Sequence, residues 1–210
     1  MKTDEALLEE VLRSGNAFLR LYRWDPATLS IGRNQPAVFE GVPVVRRPTG
    51  GSAVWHDDEV TYAVAAPIAI FGSLRRAYCE IHARLARALR ALGVETTLAP
   101  AHPPVRPSAH AASCFAQAVG GEVLVDGRKV VGSAQVRRGA AFLQHGSILL
   151  SGSQAILGTS ALQTTLAAAL GRAITFEEVT AAIVAHWPEP LSPSARQPVS
   201  PSLIASVASG

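Results

Sequence analysis

The run Glu122-Val123-Leu124-Val125-Asp126-Gly127-Arg128-Lys129-Val130-Val131-Gly132-Ser133-Ala134-Gln135 alternates on both sides of Asp126-Gly127, a dipeptide suited to the positive-φ positions of a tight hairpin turn. The alternation predicts paired strands over 122–126 and 128–132. It places Lys129 on the second strand, a rigid mount for a functional group. Fifteen residues upstream stands Cys114, in Ser113-Cys114-Phe115. A thiol is a good nucleophile only as thiolate, and a nearby ammonium lowers its pKa toward neutrality. Cys114 and Lys129 are therefore a candidate catalytic unit, beside the ordinary reading of a lone cysteine as a small buried apolar filler.

Outward from this hairpin the chain reads as a sheet with helices around it. Leu7, Leu8, Val11 and Leu12 share one face of an opening helix that Gly15-Asn16 ends. Strands are expected at 18–22 and 28–31 around the turn Asp25-Pro26, then at 42–47, 53–56 and 61–66, with a glycine-containing loop over 48–52. A long helix over 73–92 carries Leu74, Tyr78, Ile81, Leu85, Leu89 and Leu92 on its apolar face and stops at Gly93, with Cys79 as core or boundary packing. Residues 97–113, rich in proline, form an irregular connection. A strand over 141–150 is expected to break around His145-Gly146. Helices over 153–170 and 175–187 come next, the latter opened by a capping box from Thr175 to Glu178. Residues 1–187 thus read as a single catalytic domain, and 188–210 as a Pro/Ser/Ala-rich tail of weak packing.

The 210 residues suffice for one domain with a substantial core. The formal charge of +3, with no run of five basic residues, gives no footprint for nucleic acid but leaves room for an acidic protein partner. Two cysteines without metal-ligand spacing, no secretory leader and no apolar stretch of bilayer length indicate a soluble, cytoplasmic protein that does not enter membranes. Six histidines in neither HExxH nor Cys/His clusters argue against a zinc site, and no metal is expected. Ser52 and Ser133 lie in no nucleophile elbow.

A second motif is Arg46-Arg47-Pro48-Thr49-Gly50-Gly51-Ser52-Ala53-Val54-Trp55-His56, a glycine loop with guanidinium and hydroxyl groups between strands. Glycines let the backbone approach a ligand and leave N–H groups to meet an oxygen, although a Thr-Gly-Gly turn is also common without any ligand. The spacing is neither that of a Walker loop nor a dinucleotide fingerprint. A third motif is Phe142-Leu143-Gln144-His145-Gly146-Ser147. Its histidine, like His56, is as readily structural as an acid or base, and no carboxylate partner can be assigned.

Thr-Gly-Gly with Ala53-Val54 and His56, Gly-Arg-Lys-Val-Val-Gly-Ser-Ala-Gln, and Leu-Gln-His-Gly-Ser-Ile-Leu-Leu together resemble the lipoate-protein ligase and octanoyltransferase family, the biotin/lipoyl protein ligase catalytic domains. Asp4-Glu5-Ala6-Leu7-Leu8 and Ser30-Ile31-Gly32-Arg33-Asn34-Gln35 extend the similarity over about residues 3–170. The resemblance implies an α+β fold, a mainly antiparallel mixed sheet flanked by helices, in which the glycine loop and the Lys129 hairpin wall a tunnel for an eight-carbon acyl chain. It implies Cys114 and Lys129 as catalytic. Arg47, Thr49, Gly50, Gly51, Ser52, Ala53, Val54, Trp55, His56, Gly132, Ser133, Ala134, His145 and Gly146 are implied as substrate-binding. The family usually has a strand before the first helix; here one sheet edge is expected to be missing or rebuilt.

Ser113-Cys114-Phe115 resembles the cysteine-containing octanoyltransferases. The likeness implies octanoyl transfer from acyl carrier protein, through a Cys114 thioester, to the lipoyl-domain lysine of an acceptor such as the glycine-cleavage H protein or a 2-oxoacid dehydrogenase subunit, with no cofactor. The alternatives are an ATP- and Mg-dependent lipoate-protein ligase, whose usual Ser-Gly-Gly-Gly loop this chain lacks, an octanoyl amidotransferase between lipoyl proteins, and an inert lipoyl-domain or acyl-binding protein. Lys129→Ala is expected to keep the fold while slowing Cys114 acylation and raising the thiol pKa, with no rescue by Lys129→Arg.

Overall fold

The structure is a computed structural model describing residues 1–36, 40–100, 120–158 and 163–187, and the backbone of 191–192 and 202–207. It opens with helix α1 (Lys2–Ser14), which Gly15 ends in the left-handed conformation with its N–H on the Val11 carbonyl. Strands β1 (Ala17–Tyr22) and β2 (Thr28–Ile31) come next, then β3 (Val44–Arg46), β4 (Val54–His56) and β5 (Glu59–Pro67). Helix α2 (Leu74–Ala91) begins at Ser73, whose hydroxyl accepts from the Arg76 N–H. After β6 (Thr97–Leu98) come β7 (Val123–Val125), β8 (Arg128–Lys129), β9 (Val131–Arg138) and β10 (Ala141–Leu149). Helices α3 (Leu166–Leu170) and α4 (Phe176–Ala185) lead to the backbone strands β11 (Leu191–Ser192) and β12 (Ser202–Val207).

The main sheet is antiparallel, in the order β11-β12-β1-β5-β10-β9. β5 lies between β1 and β10 and is buried on both faces because its alternate residues serve two layers. Val60, Tyr62, Val64 and Ala66 face the larger core with Ile81, Leu85 and Leu89 of α2 and Val179 and Ile183 of α4, while Ala63 and Ala65 face Leu7, Leu8 and Val11 of α1. A small mixed sheet, β3-β2-β4, carries the glycine loop, and β6-β7-β8 carries the hairpin. Architecture and class agree with the α+β expectation.

Several elements differ from the sequence reading. Residues 153–170 are not one helix: a 3-10 turn at Ala155–Leu157 ends at Gly158 in the left-handed region, and α3 starts afresh at Thr165, whose hydroxyl caps it. The strand over 141–149 does not break at Gly146. A Cβ there would lie 2.5 Å from the Gly132 carbonyl oxygen and 2.7 Å from Cε1 of Tyr62, so glycine marks a close approach, not an interruption. The stretch 128–132 divides at Val130, and β8 and β9 join different sheets. The hairpin turn is as expected, with Asp126 and Gly127 both at positive φ, and the Thr175–Glu178 capping box is present. One sheet edge was expected to be missing or rebuilt; beside β1 the backbone of β12 pairs antiparallel. The tail was expected to pack weakly.

The end of β2 meets the glycine loop at Gly32, where a Cβ would collide with the Gly51 carbonyl. Gly32→Ala is expected to displace residues 49–51 and to cost about 1–3 kcal/mol through overpacking, read as a lower urea midpoint. A midpoint equal to wild type would show that the loop yields freely.

Candidate functional site

Two cavities share the wall Ser133-Ala134 on β9. The narrower, with a cavity volume of about 20 Å³, is bounded by Arg47, Val54, His56, Gly132, His145 and Gly146. The wider, about 420 Å³ and open to solvent, is bounded by Gly50, Gly51, Arg75, Tyr78, Cys79 and Gln135. Cys79, expected as packing, is half-buried in this second wall. The structure therefore gathers most of the predicted binding residues. Ala53 and Trp55 line neither cavity: Ala53 packs with Leu29, Ile31 and Leu157, and Trp55 packs on that cluster, its backbone held on both sides by the Gln154 amide. Cys114 lies outside the described residues.

The loop is held from within by Arg47. Its guanidinium donates to the Ser30 carbonyl at 2.9 Å and hydroxyl at 2.7 Å, and to the carbonyls of Ser52 at 2.8 Å and Gly50 at 3.3 Å. Ser52 thus enters through its backbone. Thr49 is buried with its hydroxyl 2.8 Å from Nε2 of His145.

Three buried carboxylates anchor these groups, none of them singled out from sequence. Asp4 receives Arg20 at 2.7 Å, the Tyr22 hydroxyl at 2.9 Å and Nδ1 of His145 at 3.3 Å. Burial alone would raise its pKa, but the His145 hydrogen bond and the Arg20 charge outweigh this and hold it below the usual carboxylate value. Burial lowers the pKa of His145 despite Asp4, so the ring is neutral and acts on Asp4 as an N–H donor, leaving Nε2 to accept from Thr49. Glu59 receives Nδ1 of His56 at 2.7 Å and the hydroxyls of Thr61 and Ser147; Nε2 of His56 faces Ser30 at 2.6 Å, and Trp24 stacks on the ring. Both sequence-flagged histidines are therefore buried relays between a carboxylate and a hydroxyl.

The third carboxylate is Glu122, 2.8 Å from the Lys129 ammonium, with both side chains at most 2% exposed. The Tyr78 hydroxyl donates to Glu122 at 3.0 Å and fastens the hairpin to α2. Lys129 lines neither cavity. The pairing was readable in principle, since Leu124 opposes Lys129 and Glu122, two residues earlier, shares its face. One turn beyond Tyr78, His82 is fully buried, its Nε2 2.8 Å from the Ser133 hydroxyl. Burial, and then the Lys129 charge, push its pKa down to about 3. Its signal was a histidine in the apolar stripe between Ile81 and Leu85.

Residues 1–187 match the model of the lipoyl protein ligase A/B catalytic domain, and the chain belongs to that family. It is 42% identical to octanoyltransferase LipM of Carboxydothermus hydrogenoformans over 71% of this chain and 60% of the relative. It is 43% identical to octanoyltransferase LipM of Moorella thermoacetica over 72% of this chain and 60% of the relative. The chain thus spans about 60% of the length of these curated relatives. The fold is similar to a crystal structure of lipoate-protein ligase A bound with ATP, with a TM-score of 0.68 and 21% identity over 86% of this chain and 76% of that one. Among the described residues no helix is long and apolar enough to cross a membrane.

The buried pair adds to one expectation: Lys129→Ala also removes the ammonium held against the Glu122 carboxylate, which keeps the Tyr78 hydroxyl. Breaking a buried pair costs about 3–5 kcal/mol. Lys129→Ala is expected to lose stability on that scale in urea unfolding, and Lys129→Ala with Glu122→Gln to recover much of it. Equal midpoints for wild type and Lys129→Ala would disprove the structural role.

His82 and His145 both titrate below the ordinary 6.5 in the folded chain. Their contribution is complete above that value and declines as pH falls, because the unfolded chain binds protons that the folded chain refuses. Asp4, already lowered, adds its loss only below its ordinary 3.8. From His82 alone the loss between pH 7 and 4 is about 3 kcal/mol. His82→Gln is expected to flatten the dependence of the urea midpoint on pH in this window, and an unchanged slope would show that His82 is not its source.

Proposed function

We propose that this chain is an octanoyltransferase acting in protein lipoylation. The observation that carries the reading is identity above 40% to relatives named octanoyltransferase LipM. It is supported by Ser113-Cys114-Phe115 and by cavities walled by the glycine loop and the Gly132-Ser133-Ala134 segment. The Cys114 thiolate attacks the carbonyl of an octanoyl thioester on acyl carrier protein, and the carrier thiol leaves with a proton. The lysine amine of a lipoyl domain, on a glycine-cleavage H protein or a 2-oxoacid dehydrogenase subunit, then attacks the enzyme thioester. An amide forms, and the Cys114 sulfur leaves as the amine gives up its proton. Thioester exchange is nearly isoenergetic and amide formation is downhill, so the cycle needs neither ATP nor Mg. Lys129 serves the sulfur and the carbonyl oxygen as negative charge develops.

A second reading, an ATP-dependent lipoate-protein ligase, is favoured by the fold similarity to a ligase bound with ATP. Incubation with octanoyl-acyl carrier protein is expected to give a hydroxylamine-sensitive octanoyl adduct by mass spectrometry, absent from Cys114→Ser. Pyrophosphate release driven by free octanoate or lipoate, surviving in Cys114→Ala, would instead establish the ligase and reject the transferase.

A further inference from the structure

A chain of side-chain hydrogen bonds ends on Ser133, the residue that borders both cavities, and a backbone carbonyl sets its direction. The Leu74 carbonyl can only accept, so the Gln135 amide nitrogen, 3.2 Å away, faces it as donor. The same nitrogen donates to Oε1 of Gln144 at 3.0 Å. That turns the Gln144 nitrogen toward the Tyr62 hydroxyl, again at 3.0 Å. Tyr62, accepting there, turns its phenolic proton toward the Ser133 hydroxyl at 2.7 Å, a shorter contact than the one with His82 at 3.5 Å. Ser133 is thus already an acceptor. Gly146 keeps the space clear, since a Cβ there would lie 2.6 Å from the Ser133 oxygen.

Where the Ser133 proton points is decided by His82. At His145 a carboxylate takes Nδ1–H, so Nε2 is an acceptor and consumes the proton of Thr49; at His56 too a carboxylate engages Nδ1. His82 differs: its Nδ1 has no hydrogen-bond partner among the described residues, and Tyr78 packs edge-on against the ring at 4.3 Å. Either tautomer leaves Nδ1 unmatched. A buried N–H without an acceptor is rarer than an acceptor without a donor, which favours the proton on Nε2, donated to Ser133.

We propose that Ser133 is a hydrogen-bond donor to the acyl carbonyl oxygen, and that neutral His82 is the positioning residue that makes it one by giving its Nε2–H to the Ser133 oxygen. With donors from Tyr62 and His82, the serine proton is left, among the described residues, with the cavity side to go to. It there meets the oxygen on which negative charge develops as the thioester is attacked, where a placed donor lowers the barrier. The carbonyl role rests on the transferase reading; the direction of the hydroxyl does not.

Long-range proton–nitrogen spectra of the histidine rings in the folded protein are expected to show His82 neutral and protonated on Nε2 from pH 5 to 8. With octanoyl-acyl carrier protein as the donor, Ser133→Ala is expected to lower the rate of adduct formation about 100-fold with little change in KM. His82→Phe is expected to do the same, and His82→Gln, whose amide nitrogen reaches the Nε2 position, to recover most of the loss. A His82 ring protonated on Nδ1, or Ser133→Ala with the wild-type rate, overturns the proposal even if His82→Phe fails to fold. A wild-type protein that forms no octanoyl adduct rejects the transferase reading and the carbonyl role with it, while the nitrogen spectra still decide the hydroxyl's direction.

Discussion

A carboxylate removed from water has to meet cations or several hydrogen-bond donors, or its burial costs more than the fold can supply. The described residues bury three, Asp4, Glu59 and Glu122, and each is a junction between elements distant in sequence. Asp4 ties α1 to β1 through Arg20 and Tyr22, and to β10 through His145. Glu59 ties β4, β5 and β10 through His56, Thr61 and Ser147. Glu122 ties the hairpin to α2 through Tyr78 and Lys129. Both cavities lie among these junctions. The carboxylates thus place the cavity walls as much as apolar packing does.

The glycine loop shows why polar anchoring is needed there. Residues 48–52 carry no large apolar side chain that could seat them on a core. Their position comes from Arg47, whose guanidinium collects carbonyls from the loop and from β2, and from the chain Thr49–His145–Asp4. Arg47 is itself buried and borders the narrower cavity. A loop held this way can be small and close-packed against Gly32 while its backbone groups stay near a ligand.

How much of the fold and site was legible in the sequence depends on the range of each signal. The hairpin, the helix caps and the period of α1 and α2 depend on neighbours within a few residues, and their positions were readable. Gly146 misled because glycine weakens a strand by propensity, while here it is required by Tyr62 and Ser133, residues from two other strands. His145 could be flagged but not explained, since its partner Asp4 lies on α1, at the other end of the chain. His82 was absorbed into an apolar stripe because periodicity counts position and not protonation. Lys129 was read as a cation on a rigid mount; the buried Glu122 that shares it is visible only once the hairpin register is known.

That pairing changes how Lys129 can act. An isolated ammonium projects its field widely, but one held 2.8 Å from a carboxylate is one end of a dipole whose effect falls off quickly with distance. At His82 the lysine end prevails, for Lys129 adds to burial in keeping that ring neutral. The Lys129 charge is therefore felt at His82, whose Nε2 meets Ser133 on the wall that the two cavities share, while Glu122 meets the Tyr78 hydroxyl. On the transferase reading, stabilisation by Lys129 is short in range and is felt by an oxygen or sulfur brought against that wall.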